Sequence, residues 1–184
     1  MTASTGRITA GLMTTLDGVA DKPETWQAPY FDPGMGAMIG AQLAAADVLL
    51  LGRRTYEEFA GYWPHTTPSA NPMAERMNTI PKLVASTTLG GTAWQPATVV
   101  GEDLGDALRR CTGRGETVQV TGSISLVQWL LHAGLLDELA IMVHPLTVGA
   151  GRRLFDGAGP RAFSLHDTRA FASGVVALTY RGAS

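Results

Sequence analysis

The chain of 184 residues has one cysteine, Cys111, so it can form no internal disulfide and no cysteine-rich zinc site. Its surroundings, Leu104-Gly-Asp-Ala-Leu-Arg-Arg-Cys111, read as a helix, which makes the thiol a small, partly buried hydrophobe rather than a nucleophile. Charge is also scarce. Charged residues are 16% of the chain and the formal net charge is −2, which argues against general attraction to nucleic acid or an anionic membrane. Any anion-binding site must therefore be local. Long apolar runs are missing: Val48 to Leu51 is far too short to span a bilayer, and Met1 to Arg7 has no apolar signal core. A cytoplasmic protein is expected. His65, His132, His144 and His166 are scattered without HExxH spacing, so no metal is expected. No G-x-S-x-G occurs, which removes the usual serine hydrolase.

What is present is an alternation of short strands and helices. Strands are predicted at 7–13, 47–52, 82–86, 98–100, 117–121 and 138–144, with helices at 35–46, 55–63, 74–78, 103–111 and 124–133. Residues 162–180 read as two long strands joined near Ala172-Ser-Gly174, because Val176, Leu178 and Tyr180 alternate with Ala177 and Thr179. Such an order predicts an α/β fold: a mostly parallel central sheet, helices on both faces, and a C-terminal antiparallel hairpin. No repeat or linker interrupts it, so residues 1–184 are expected to form one domain. Sheets of this kind bind ligands at the carboxyl ends of their strands.

Two strand-to-helix junctions carry the chemistry. At Leu51-Gly52-Arg53-Arg54-Thr55-Tyr56, Gly52 permits close approach of a ligand to the backbone and Thr55 is placed to cap the next helix. Glu57 and Glu58 would then lie in its first turn. Free helical N–H groups and two arginines would face an anion there; a capped helix with two solvated arginines is the plain alternative. At Val120-Thr121-Gly122-Ser123-Ile124-Ser125, the same logic offers a phosphate cradle, against an ordinary serine-capped helix. Neither is the G-x-G-x-x-G fingerprint nor a P-loop. Together they can hold the two ends of a dinucleotide. Asp17, in Thr14-Thr-Leu-Asp-Gly18, is placed to contact a ligand or to make a turn. Asp32, in Trp26-Gln-Ala-Pro-Tyr-Phe-Asp32, is a candidate proton relay or helix N-cap. Gly149-Ala-Gly151 suggests a tight bend. Trp26, Tyr30, Phe31 and Trp63 are expected to form one apolar wall for a flat heterocycle.

In their order, Thr14-Thr-Leu-Asp-Gly18, Gly52-Arg-Arg-Thr-Tyr56, Ser86-Thr87, Val120-Thr-Gly-Ser-Ile-Ser125 and Pro145-Leu-Thr-Val-Gly-Ala-Gly-Arg-Arg-Leu-Phe155 resemble the bacterial dihydrofolate-reductase-like family. That family includes the reductase domain of the bifunctional riboflavin-biosynthesis deaminase/reductase. The resemblance covers nearly the whole chain and implies an NADPH-dependent reductase acting on a small heterocyclic or carbonyl substrate. It implies Arg53 at the adenosine 2′-phosphate, Gly52, Arg54 and Thr55 near the phosphates, and Ser86 and Thr87 at the adenosine end. Thr121, Gly122, Ser123, Ile124 and Ser125 would cradle the pyrophosphate. Gly18 and Asp17 would border the nicotinamide and substrate, with Asp17 or Asp32 holding a proton-donating water. A homodimer is implied as well. The chain departs from dihydrofolate reductases proper: its acid stands one residue late after Trp26 and Pro29, and Gly122-Ser123 replaces their Gly-Gly pair. The zinc deaminase signature is missing. A pterin or dihydrofolate reductase and a non-catalytic NADPH-binding sensor are the rival readings.

Overall fold

The structure is a computed structural model that describes residues 6–182. Strands β1 (Arg7–Thr15), β2 (Val48–Gly52), β3 (Lys82–Ala85), β4 (Ala97–Val100), β5 (Thr117–Val120), β6 (Glu138–His144), β7 (Phe163–Ala170) and β8 (Val176–Gly182) form one eight-stranded sheet. Its order is β4-β3-β2-β5-β1-β6-β8-β7. The first six strands are parallel to their neighbours; β8 runs antiparallel to β6, and β7 to β8. The helices are α1 (Pro33–Ala45), α2 (Arg53–Tyr62), α3 (Ala74–Thr79), α4 (Leu104–Gly113) and α5 (Ile124–His132). The predicted architecture, including the terminal hairpin, is the one observed.

The order of strands places the ligand crevice. From β1 the chain passes over to β2, β3 and β4, then returns to insert β5 between β2 and β1. The carboxyl ends of β1, β5 and β2 thus lie side by side at the point where the winding reverses, where open α/β sheets bind ligands.

The sheet packs on both faces. Ile8, Ala10, Leu50, Val118, Val120, Leu139 and Ile141 form one continuous core with Leu104 and Leu108 of α4 and Val127, Leu130 and Leu131 of α5. Cys111 belongs to this core and is buried, with its thiol pKa pushed up by burial, as befits an inert hydrophobe. The other face lies under α1 and holds two separate apolar clusters, one around Leu49, Leu51, Val84, Tyr56 and Trp63, the other around Met35, Met142, Phe171 and Val175. The expected single aromatic wall is therefore divided. Trp63 belongs to the first cluster, while Trp26 and Tyr30 gather around His144. Phe31 stays 48% exposed.

Two boundaries differ from the sequence reading in ways that matter. Helix α2 starts at Arg53 with Gly52 as its N-cap residue, so Thr55 is inside the first turn and caps nothing, and Glu57 and Glu58 fall in the second turn. Helix α1 starts at Pro33, pre-set for the first turn by its fixed φ.

Candidate active site

Strands β2 and β5 are hydrogen-bonded neighbours and parallel, so the two junctions predicted from sequence stand side by side. Each closes on the other. A Cβ added at Gly52 would lie 2.7 Å from Ser123 Oγ, and one added at Gly122 would lie 3.1 Å from Thr55 Oγ1. The Gly52 N–H donates to the Gly122 carbonyl at 3.3 Å. The two glycines are therefore needed first for junction-to-junction contact: each leaves the space that a hydroxyl from the other junction fills. At Gly122 the φ of +137° adds a second requirement, because that region is open essentially to glycine alone. The Gly122–Ser123 peptide is cis.

Ser123 is the N-cap of α5; its Oγ accepts from the Leu126 N–H at 3.4 Å and lies 3.1 Å from Ser125 Oγ. The first N–H groups of α5, at Ile124 and Ser125, and those of α2, at Arg53 and Arg54, have no acceptor within their helices. Two helix N-termini thus open onto one edge of the sheet, with their partial positive ends adjacent. Ser125 and Arg54 are exposed at that edge. Arg53 is exposed too and pairs with Glu57 at 3.1 Å, a solvent-screened contact that a better anion can displace. Thr121 lies just below, its hydroxyl buried and without a partner among the described residues.

Ser86 and Thr87 follow β3, one strand farther out than β2. Ser86 Oγ accepts the N–H groups of Thr88 and Leu89 at 3.1 and 3.0 Å and so shapes its own loop, while Thr87 is exposed. These residues stand at the same carboxyl-end edge of the sheet.

At the end of β1, Asp17 anchors a neighbouring loop. Its carboxylate accepts the Thr15 hydroxyl at 2.5 Å and the Gly149 N–H at 2.9 Å, with Val148 N–H at 3.4 Å. The Thr15 hydroxyl, followed by the Gly149 N–H, holds its pKa below the usual carboxylate value. Arg153 Nε donates to the Asp17 carbonyl at 2.8 Å, and Leu154 N–H to that of Gly18 at 3.3 Å. The Gly149-Ala-Gly151 bend is thus a turn pinned by Asp17, and at Gly151 a Cβ would strike Val19 at 2.7 Å.

Asp32 is held by the backbone of two elements. It is the N-cap of α1, with Oδ1 accepting from Met35 N–H at 3.0 Å and Oδ2 from Ser173 N–H at 3.2 Å. It ties the helix to the β7–β8 turn, and the Met35 N–H lowers its pKa. Of the two readings the sequence left open, the geometry is that of the cap.

Three residues were not singled out in the sequence. His144, at the end of β6, is fully buried. Its Nδ1 lies 3.2 Å from the Thr14 carbonyl and 3.0 Å from that of Met142. Two carbonyl partners require the proton on Nδ1, which leaves Nε2 an acceptor, buried and unpartnered, beside the Trp26 ring with a centroid separation of 5.0 Å. Burial lowers its pKa and keeps it neutral. Gln119 and Gln42 are the others: Gln119 Oε1 accepts the Thr9 hydroxyl at 2.6 Å and its Nε2 donates to the Val120 carbonyl at 3.3 Å, and Gln42 Oε1 lies 3.3 Å from where a Cβ at Gly11 would stand. The visible signal for Gln119 was a polar residue in the middle of Thr117-Val-Gln-Val-Thr121; that this strand lies at the centre of the sheet was not readable locally.

Among the described residues no helix is long and apolar enough to cross a membrane, and no group of three His, Cys, Asp or Glu is placed to hold a metal.

Comparison with known proteins agrees with this geometry. The uncharacterized Bacillus subtilis (strain 168) protein YyaP is 28% identical over 181 residues, covering 95% of this chain and 94% of its own. A Shewanella sp. PV-4 protein attributed to riboflavin biosynthesis superposes with a TM-score of 0.75 at 20% identity, over 97% of this chain and 99% of that one. Dihydrofolate reductase from Enterococcus faecalis, solved with NADP(H), superposes with a TM-score of 0.65 at 16% identity, over 98% of each chain. These likenesses establish a dihydrofolate-reductase-like fold. Residues 7–177 match the RibD C-terminal domain, and the chain belongs to that family.

Proposed function

We propose that this protein is an NADPH-dependent reductase whose cofactor lies across the carboxyl ends of β3, β2 and β5 and whose substrate lies toward β1 and α1. The observation that carries it is the pair of interlocked junctions at Gly52 and Gly122, which brings two helix N-termini to one edge of the sheet. A diphosphate needs such a set of convergent N–H donors, and the added cations suit a further phosphate. The residues present fit NADPH. Thr121, Gly122, Ser123, Ile124 and Ser125 would hold the pyrophosphate together with Gly52, Arg54 and Thr55. Arg53 would meet the 2′-phosphate, Ser86 and Thr87 would border the adenosine, and Asp17 with Gly18 would border the nicotinamide.

When bound, NADPH would supply a hydride to an electrophilic C=N or C=O carbon. The chain's own residues would orient the partners and exclude water. The Thr15 hydroxyl lowers the pKa of Asp17 and the Met35 N–H that of Asp32, which suits each to hold a proton-donating water rather than to carry the proton. Asp17 positions the loop at the reactive end and can hold a water there; Asp32 positions α1. The protein is expected in the cytoplasm as a homodimer. The surface for a second copy is β7, whose residues after Phe163 are all exposed, Leu165 by 54%, rather than the β6 and β8 segments, which pair with each other.

Two titrations test the reading. NADPH should bind more tightly than NADH, and Arg53→Ala should remove about ten- to a hundredfold of that preference, the effect of one charged hydrogen bond. A variant that keeps the full preference takes Arg53 out of the site. NADPH oxidation should then be followed with a panel of pterins, flavins and pyrimidines. Turnover of a pterin would favour a folate-type reductase, and tight binding without oxidation of any of them would favour a sensor.

A further inference from the structure

His144 lies at the carboxyl end of β6, beside Thr15 of β1, and is fully buried. The loop 21–31, which leads from β1 toward α1, covers it. The Trp26 and Tyr30 rings stand nearly perpendicular to the imidazole, with centroid separations of 5.0 and 6.1 Å. Among the described residues, the hydrogen bonds of residues 22–31 all stay inside this loop. Thr25 and Trp26 N–H donate to the Lys22 and Pro23 carbonyls, Tyr30 and Phe31 N–H to those of Gln27 and Ala28, and Trp26 Nε1 to that of Asp21. The loop is thus a self-contained flap. What fastens it is side-chain packing, chiefly Trp26 and Tyr30 on His144 and Tyr30 on the Met35 cluster.

The fastening suits only the neutral ring. Nδ1–H donates to the carbonyls of Thr14 and Met142, and Nε2 has no partner among the described residues. Gln27 Oε1, on the flap, is also buried and unpartnered, so it does not reach Nε2. A proton on Nε2 makes the ring a cation with an unmet donor, and a buried charge without a counter-ion is far costlier than a lone acceptor. No counter-ion faces it. Helix α1 carries no charged side chain from Pro33 to Ala45. Asp17 is engaged by Thr15 and Gly149, and Asp32 by Met35 and Ser173. Glu138, at the far end of β6, pairs with Arg181, and Arg169 of β7 lies over the Phe171 ring. On the flap, Tyr30 presents its ring, while Asp21, Lys22 and Glu24 make no bond to the imidazole. Burial lowers the pKa of His144, its two carbonyl partners oppose the shift, and no charged group contributes.

We propose that His144 is a positioning residue for the substrate end of the crevice: its neutral imidazole holds the flap 21–31 shut, and protonation of Nε2 releases the flap. What the flap shuts off rests on the reductase reading; the latch itself does not. With the flap down, a charged ring has no water. With the flap raised, Nε2 meets solvent and titrates as a free imidazole does, near 6.5. The closed state therefore binds the proton more weakly than the open one. Above pH 6.5 the ring is neutral in both states and closure is tightest. As pH falls below 6.5 the open state takes the proton first, and closure weakens by up to about tenfold per pH unit until the buried ring titrates as well.

Trp26 reports on the flap. In ligand-free protein labelled with 5-fluorotryptophan, its fluorine signal is assigned by its loss in Trp26→Phe, and its exposure is read as line broadening by a neutral soluble nitroxide. That broadening should rise by up to about tenfold between pH 7.5 and pH 5.5, while Trp63 and Trp94, buried in the other cluster, stay unchanged. His144→Asn keeps a donor for the Thr14 carbonyl and cannot become charged, so its Trp26 signal should respond equally at both pH values. An undiminished rise in His144→Asn overturns the proposal. So does a wild-type Trp26 that is better shielded at pH 5.5, the result if Gln27 accepts the new proton. Equal exposure of Trp63 and Trp94 overturns it too, since protonation would then unfold the sheet rather than free the flap. If His144→Asn does not fold, imidazole titration by NMR decides in wild type: the Trp26 change must follow the His144 midpoint, and a midpoint at or above 6.5 overturns the latch. NADPH binding is measured separately at pH 7.5; its failure overturns the reductase reading and leaves the latch standing.

Discussion

The two faces of the sheet were built to different rules. The face under α4 and α5 is one continuous apolar core, with Leu50, Leu108, Val118, Val127 and Leu130 all fully buried. The face under α1 is broken, with Thr9, Gln119 and Thr121 separating two apolar clusters and His144 enclosed beside Trp26. Apolar packing stabilises a fold without needing direction, whereas buried amides and hydroxyls contribute only when partners meet them in the right geometry. On the α1 face Thr9 and Gln119 meet each other, while the Thr121 hydroxyl and His144 Nε2 have no partner among the described residues. The comparison thus assigns stability to one face and chemistry to the other, with the interlocked junctions at their common edge.

The sharpest way to break that assignment is to damage each face and see what is lost. Leu130→Ala, on the continuous face, should cost about 2–5 kcal/mol of stability, read from urea unfolding. The protein that remains folded should bind NADPH as wild type does. A large loss of affinity in folded Leu130→Ala protein would show that the two faces are not separable. Gly122→Ala acts at the shared edge. Its φ of +137° and the 3.1 Å approach to Thr55 Oγ1 predict backbone strain of about 1–3 kcal/mol and a severe loss of NADPH binding. Fluorescence titration, with melting curves to confirm folding, checks it; normal affinity would take this junction out of the cofactor site.

Lys82 supplies a pH test on the α1 face. It is buried beside Trp94, with Nζ 4.1 Å from the ring centroid and donating to the Ile80 carbonyl at 2.8 Å, and desolvation lowers its pKa from 10.5 to about 8. Between these values the unfolded chain binds more protons than the folded one, so stability should rise with pH across that window. Lys82→Met should flatten this rise in denaturation curves measured at pH 7.5 and 10. A rise of equal size in the variant would exclude Lys82 as its source. The smallest effect is expected at Ser125. Its hydroxyl is exposed and approaches only Ser123 Oγ, so Ser125→Ala should weaken NADPH by one neutral hydrogen bond, about 0.5–1.5 kcal/mol.

Much of this was legible in the sequence, for identifiable reasons. The β6 segment is found where it was predicted, at Glu138–His144, because a run of buried apolar residues ends at Pro145. The hairpin was readable from the alternation of Val176, Leu178 and Tyr180. Both junctions could be found because glycine between a strand and a helix is a local signal. What glycine was doing there was not local: Gly52 accommodates Ser123, seventy-one positions away by their numbers, and nothing near Gly52 announces it. The α2 boundary was misplaced because a threonine two residues into a helix looks like a cap when the cap is in fact glycine. The pairings of Gln119 and His144 depend on which strands are neighbours in the sheet, and that order is set by tertiary packing.

The central claim, that the edge shared by the two faces binds NADPH, is tested most directly by mapping backbone amide shifts on cofactor addition to isotopically labelled protein. The account predicts the largest changes at Arg53, Arg54 and Thr55 and at Gly122, Ser123, Ile124 and Ser125, with smaller ones at Ser86 and Thr87 and none along β7. Shifts confined to β7, or to the amino-terminal ends of β2 and β5, would contradict it.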